Sequence, residues 1–213
     1  MCQIQTLAKL FKGVLRPAAL LLSVAMLTGT AVSRAPGSDP EPAPIIERFM
    51  DYTGFTLKTT DGKTFNLRDF ATDKRMVIVG YVAGWCENSN NNGHVVKRLY
   101  DKFKGRGLGV VLVAEYSNAQ EVRVHMNRIG VDYPVVVETS KQSDREKSQH
   151  YRLRTAVGDK RKWGTPFYVI LKREDILEVN KLNALANHIY TVSGEIIETE
   201  AEQFIEQALG AAR

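Results

Sequence analysis

The chain has 213 residues, 44% hydrophobic and 25% charged, with two cysteines. That length and balance suit one globular domain with extensions, able to bury a core without disulfide staples, and two cysteines exclude a disulfide scaffold. The net charge of +5 includes Lys9, Lys12 and Arg16, which precede every acid, and it falls to +2 without them, too little to argue for a nucleic-acid partner.

Those cations lead into the apolar run "PAALLLSVAMLTGTAV", with small residues at Gly29-Thr30-Ala31 and Ala31-Val32-Ser33. A basic start, an apolar stretch and a small-residue boundary read as a cleaved export signal over 1–31. The run is shorter than the ~20 residues of a spanning helix. An uncleaved membrane anchor, holding the domain outside the cytoplasm, is the rival reading. An organelle transit peptide is a third, since no Asp or Glu precedes Asp39. Cleavage removes Cys2 and leaves Cys86. In the periplasm or outside the cell, a lone cysteine pairs with another molecule or stays a reactive thiol. Residues 32–48, with "RAPGSDPEPAP", read as a Pro-rich linker, and an ordered domain is expected over 49–213.

"FTLKTTDGKTFNL" has two alternating runs around Asp61-Gly62, the pattern of a hairpin. "RMVIVGYVA" is a continuous β-rich run, as in a strand buried on both faces. Val95, Val96, Leu99, Tyr100 and Phe103 recur at helical spacing until Gly105 and Gly107. "LGVVLVAEY" predicts a second buried strand. "AQEVRVHMNRIG" predicts a helix with Val122, Met126 and Ile129 on one face. "YPVVVE" is a third strand, "SKQSDREKSQHYRL" a polar exposed helix, "TPFYVIL" a fourth strand and "NHIYTVSGEII" a fifth that turns at Ser193-Gly194. "TEAEQFIEQALG" closes the chain as an amphipathic helix with Phe204, Ile205 and Leu209 inward. Alternating strands and helices predict an α/β fold, a central mixed sheet with helices on both faces. In such sheets, sites gather at the carboxyl ends of strands, where Cys86 falls.

The order of elements resembles the thioredoxin-like fold, and within it the redoxin family, which includes exported TlpA-like thiol reductases and the AhpC/TSA peroxiredoxins. The resemblance runs over about 49–209 and rests on "FTLKTTDGKTFNLRDF", "VIVGYVAGWCENS", "GVVLVAEY", "YPVVVE" and "GTPFYVI". It implies that Cys86 is the nucleophile, flanked by the Trp85 indole. It also implies that Thr165 and Pro166 form a substrate-binding loop, with a cis-proline beside the thiol, open to strand addition by a bound chain. Ser89 stands where the family's resolving cysteine would be, a CxxS motif in place of CxxC. Gly80 stands near the family's buried acid and cannot carry a proton. Val79 and Ala83 replace the Pro and Thr of the peroxiredoxin pattern.

The chemistry of Cys86 turns on its thiolate, the form that attacks. A helix N-terminus favours that form and Ser89 is placed to donate to it, while Glu87 opposes it. The asparagine run, poor in helix interiors and good at N-caps, predicts a helix starting nearer Asn92 than Cys86. The bland reading of a lone cysteine is a small core residue. His94, His125, His150 and His188 lack metal-ligand spacing and read as surface or packing residues. "DKFKGRG" and "GDKRKWG" read as solvated basic loops, the second placed to tune substrate choice beside Pro166. The resemblance implies single-cysteine thiol–disulfide exchange with protein or small-molecule thiols and disulfides, and no cofactor or metal. The alternatives are a non-catalytic binding module at the same groove and a one-cysteine peroxidase.

Overall fold

The computed structural model describes residues 40–177 and 184–210. The leader expected over 1–31 and residues 32–39 of the expected linker lie outside them. The ordered chain begins earlier than residue 49. Strand β1 (Pro42–Ala43) and strand β2 (Ile46–Thr53) belong to the fold, so the linker reading of 42–48 gives way to sheet pairing. Pro fits there because β1 is a two-residue edge piece, the setting that tolerates a missing N–H.

The remaining elements follow in order. β3 (Thr56–Thr59) and β4 (Thr64–Asn66) form the hairpin, closed around Gly62, and α1 (Leu67–Ala71) follows, capped by the Asn66 side chain. Next come β5 (Met76–Val82), α2 (Glu87–Phe103), β6 (Leu108–Ala114), α3 (Ala119–Ile129) and β7 (Val135–Val137). α4 (Gln149–Ala156), β8 (Phe167–Lys172), β9 (Ala184–Val192), β10 (Glu195–Ile196) and α5 (Glu198–Leu209) complete the described chain.

The main sheet has eight strands in the order β2-β9-β8-β5-β6-β7-β3-β4. β5, β6 and β7 run parallel, while β8 is antiparallel to β5 and β9 to β8. β5 lies at the centre, with all seven residues buried. Its side chains alternate between two cores. Met76, Ile78 and Val82 meet Val96, Leu99, Phe103, Val122, Met126, Ile205 and Leu209 from α2, α3 and α5. Val77, Val79 and Tyr81 meet Leu67 and Leu153 from α1 and α4 on the other face. Two covered faces explain why β5 reads as an unbroken apolar run rather than an alternating one.

The exposed helix expected over "SKQSDREKSQHYRL" is not one helix. Gln142–Lys147 is a 3-10 segment, and Ser148 then caps α4 by accepting from the Tyr151 amide. α4 buries His150, Leu153 and Arg154. Its polar composition misleads because two of those three side chains are polar groups that find hydrogen-bond partners inside the protein.

Candidate active site

The carboxyl end of β5 delivers Gly84, Trp85 and Cys86 to the start of α2. Cys86 is the N-cap residue and Glu87 the first helical one, so the helix begins five residues before Asn92. The sequence expectation of a later start fails because long-range partners offset the poor propensity of asparagine. Asn92 Nδ2 donates to the Ile196 carbonyl at 3.0 Å, and the Ile196 amide donates back to Asn92 Oδ1 at 2.9 Å. That reciprocal pair imitates a strand ladder and ties α2 to β10. Asn90 Nδ2 donates to the Gly84 carbonyl at 3.3 Å, holding the turn that carries Trp85 and Cys86.

Cys86 is half-buried and forms no disulfide. Its Sγ donates to the Thr165 carbonyl at 3.3 Å, bridging 79 residues of sequence. The Thr165–Pro166 peptide bond is cis. Thr165 and Pro166 are buried, and the Thr165 hydroxyl has no partner among the described residues. Cys86, Thr165 and Pro166 therefore share one place, and Trp85 stands beside them, 42% exposed. Ser89 does not face outward. It is 1% exposed and its Oγ accepts from the Ala83 amide at 3.4 Å. Among the described residues no hydrogen bond joins it to the sulfur, so the expected donation from Ser89 is replaced by a bond that fixes the turn. Gly80 is excluded from proton transfer and also from any larger side chain. A Cβ there would lie 2.8 Å from both Leu112 Cδ2 and Tyr168 Cε1. The Tyr168 ring fills that space within electrostatic reach of Cys86, and burial raises its pKa, keeping the phenol neutral.

Behind the thiol stands a set of residues that the sequence reading did not single out for function. Tyr116 follows β6 with φ +56°, a left-handed conformation that costs a bulky residue energy. Several bonds hold it there. Its amide donates to Thr139 Oγ1 at 3.0 Å, and its carbonyl accepts from Trp85 Nε1 at 3.1 Å. Its hydroxyl lies 3.1 Å from His150 Nδ1, while His150 Nε2 lies 3.0 Å from the Gly164 carbonyl. A carbonyl can only accept, so Nε2 carries the ring proton and Nδ1 accepts from Tyr116. His150 is fully buried and stacked on Tyr81 at 5.0 Å. Burial, then the nearby Arg154 charge, push its pKa down to about 3, so the ring is neutral. It joins α4 to the loop that meets the sulfur.

Arg154 braces the same loop. Its Nη1 donates to the Arg161 carbonyl at 2.6 Å and its Nη2 to the Lys162 carbonyl at 3.2 Å. Gly164 has φ +64°, and a Cβ there would meet the Arg154 side chain at 2.4 Å. Trp163 packs edge-on to Trp85 at 5.5 Å and tilted to Tyr116 at 5.6 Å. No signal in a single sequence marks Tyr116 or Arg154, because each acts through partners distant in the chain, while Trp163 lies in the "GDKRKWG" loop that the sequence placed beside Pro166. No group of acids, histidines and cysteines among the described residues could hold a metal ion.

Comparison with known proteins places the chain by family and by fold. A family model described as Redoxin matches residues 42–194. The thiol-disulfide oxidoreductase ResA of Bacillus subtilis (strain 168) is 29% identical over 97 residues, 46% of this chain and 53% of that protein. The match thus spans about half the length of that relative. A thiol:disulfide interchange protein of the thioredoxin family from Chlorobium tepidum TLS superposes with a TM-score of 0.54 at 19% identity, covering 76% of this chain and 98% of that one. A thiol:disulfide interchange protein from Bacteroides sp. gives 0.55 at 12% identity, with 78% and 93% covered. The fold is thioredoxin-like, a mixed central sheet flanked by helices, as the sequence reading expected.

Proposed function

The chain belongs to the Redoxin family, and from that membership we propose that it is an exported thiol–disulfide oxidoreductase acting through Cys86 alone. The observation that carries the proposal is the Cys86 sulfur, half-exposed at the N-cap of α2 and 3.3 Å from the carbonyl that precedes Pro166. A helix N-terminus gathers unpaired N–H groups and partial positive charge where the sulfur sits. The activity named for the ResA relative is of the same kind.

In this reading the Cys86 thiolate attacks one sulfur of a substrate disulfide. A Cys86–sulfur bond forms, the substrate S–S bond breaks, and the second sulfur leaves as thiolate. Ser89 is buried and has no thiol, so a second, external thiolate attacks the mixed disulfide and restores Cys86. Trp85 lines the approach, and the Thr165–Pro166 segment lies beside the sulfur that a bound chain meets. Export rests on Lys9, Lys12, Arg16 and the apolar run after them. Intact-mass measurement of native protein tests it, and retention of Cys2 would count against cleavage.

A second reading, a binding module at the same groove, is favoured by the buried Ser89, which leaves no internal dithiol. Reactivity of the thiol separates the two. With a model disulfide, wild type is expected to accumulate a mixed disulfide at Cys86 that Cys86→Ser cannot form. Reduction of insulin by dithiol turnover is expected to be weak and to rise in Ser89→Cys, provided the pair reaches disulfide geometry. An inert Cys86 would leave only the binding reading, and strong wild-type insulin reduction would contradict the one-cysteine mechanism.

A further inference from the structure

Residues 141–162 carry eight Lys and Arg against three acids. The acids are already engaged. Asp159 pairs with Arg161 at 2.7 Å, Glu146 with Arg145 at 2.9 Å, and Asp144 with Lys147 at 3.0 Å. Lys160 and Lys162 have no acidic partner among the described residues, and the Arg154 guanidinium donates only to backbone carbonyls there. Arg145, Arg154, Lys160, Arg161 and Lys162 line an open cleft of about 320 Å³, whose one lining acid, Asp159, is the one paired with Arg161. We infer that this cleft docks an acidic segment of the protein whose disulfide Cys86 attacks, an inference that rests on the exchange activity proposed above.

The cleft and the thiol share one loop. Trp163 lies under Arg145 at 5.6 Å and Lys162 at 5.1 Å, and its ring edge meets Trp85 at 5.5 Å. Two residues on, Thr165 accepts the Cys86 thiol. Arg161 spans both sides, since its Nη2 donates to the Pro166 carbonyl at 3.0 Å. A chain that brings a sulfur to Cys86 and runs along the loop passes the cleft within a few residues. The rim already binds a carboxylate from a distant segment, as Glu41 pairs with Arg161 at 2.8 Å. Arginine forks match carboxylates, and uncompensated lysines add attraction that speeds encounter and falls with salt.

The test measures mixed-disulfide formation at Cys86 with disulfide-linked peptides of equal length, flanked by Asp and Glu, by Ser, or by Lys. The neutral probe 2,2′-dipyridyl disulfide reports whether Cys86 exchanges at all. At low ionic strength, about 0.01 M, the acidic peptide is expected to react at least about tenfold faster than the basic one, and the gap is expected to close at about 1 M. A Lys160→Glu/Lys162→Glu variant, with its fold checked by circular dichroism, is expected to reverse the order. Equal peptide rates, with dipyridyl disulfide still consumed, would overturn the docking site and leave exchange standing. An unreactive dipyridyl disulfide would overturn exchange itself. Oxidised glutathione reacting as fast as the acidic peptide would overturn the protein segment in favour of a small carboxylate-bearing disulfide.

Discussion

His150 shows how one buried side chain can organise a site it does not touch. It accepts from Tyr116, donates to Gly164 and stacks on Tyr81. Removing it leaves the Tyr116 hydroxyl and the Gly164 carbonyl unpaired in the interior. His150→Ala is therefore expected to cost about 2–4 kcal/mol by urea unfolding, and to slow exchange at Cys86 by loosening the Thr165 loop. The ring also sets a pH dependence. Its pKa is depressed to about 3 in the folded protein against an ordinary 6.5, so the unfolded chain binds the extra proton between those values. The stability it contributes is complete above pH 6.5 and is lost as pH falls toward 3. Urea titrations across that window should show a smaller acid loss in His150→Ala. An unchanged acid loss would assign it to other groups.

At the scale of elements, α2 carries the thiol and its placement depends on β10. The Asn92–Ile196 pair supplies both hydrogen bonds of a missing ladder rung from one side chain. Asn92 is 4% exposed, so water does not replace those bonds freely. Asn92→Ala is expected to destabilise by about 2–3 kcal/mol and to speed hydrogen exchange at the Ile196 amide. Unaltered exchange there would show that β10 is held by other contacts. The pairing also accounts for the asparagine run. Asn88 and Asn92 are buried, Asn92 bonds the backbone of β10 and Asn90 that of the Gly84 turn, so the run starts a helix rather than forming a solvated loop.

Across the whole molecule, the sheet brings a second titratable group behind the site. Glu115, next to Tyr116, is fully buried and accepts from Thr139 Oγ1 at 2.5 Å. Burial, and then the neighbouring Glu138 carboxylate, raise its pKa well above 4.5. Folded protein thus holds a proton that unfolded chain releases above about pH 4.5, so this group lowers stability as pH rises from there. Its sign is opposite to that of His150. Glu115→Gln mimics the protonated acid and is expected to gain stability over wild type as pH increases from 5 to 8, read from urea midpoints at several pH values. A stability difference that does not change with pH would show that Glu115 is not held protonated.

Local pattern was enough for much of this protein. The apolar run of β5, the Asp61-Gly62 hairpin, the spacing of α3 and the Trp-Cys and Thr-Pro pairs are short-range signals, and each reads directly from neighbouring residues. Their order pointed to the α/β class, and the redoxin resemblance they carry named the residues that the structure gathers at one place. Three features depended on tertiary structure. Pro42 and Ile46 joined strands because their partners Glu195 and Thr191, far along the chain, were there to pair with them. α2 began at Glu87 because Ile196 satisfied Asn92. The polar residues of α4 turned inward because Tyr116 and the carbonyls of the 159–164 loop received them. Propensity and periodicity describe what a segment prefers alone. A buried polar group is settled by the partner it finds, and here that partner lies far along the chain.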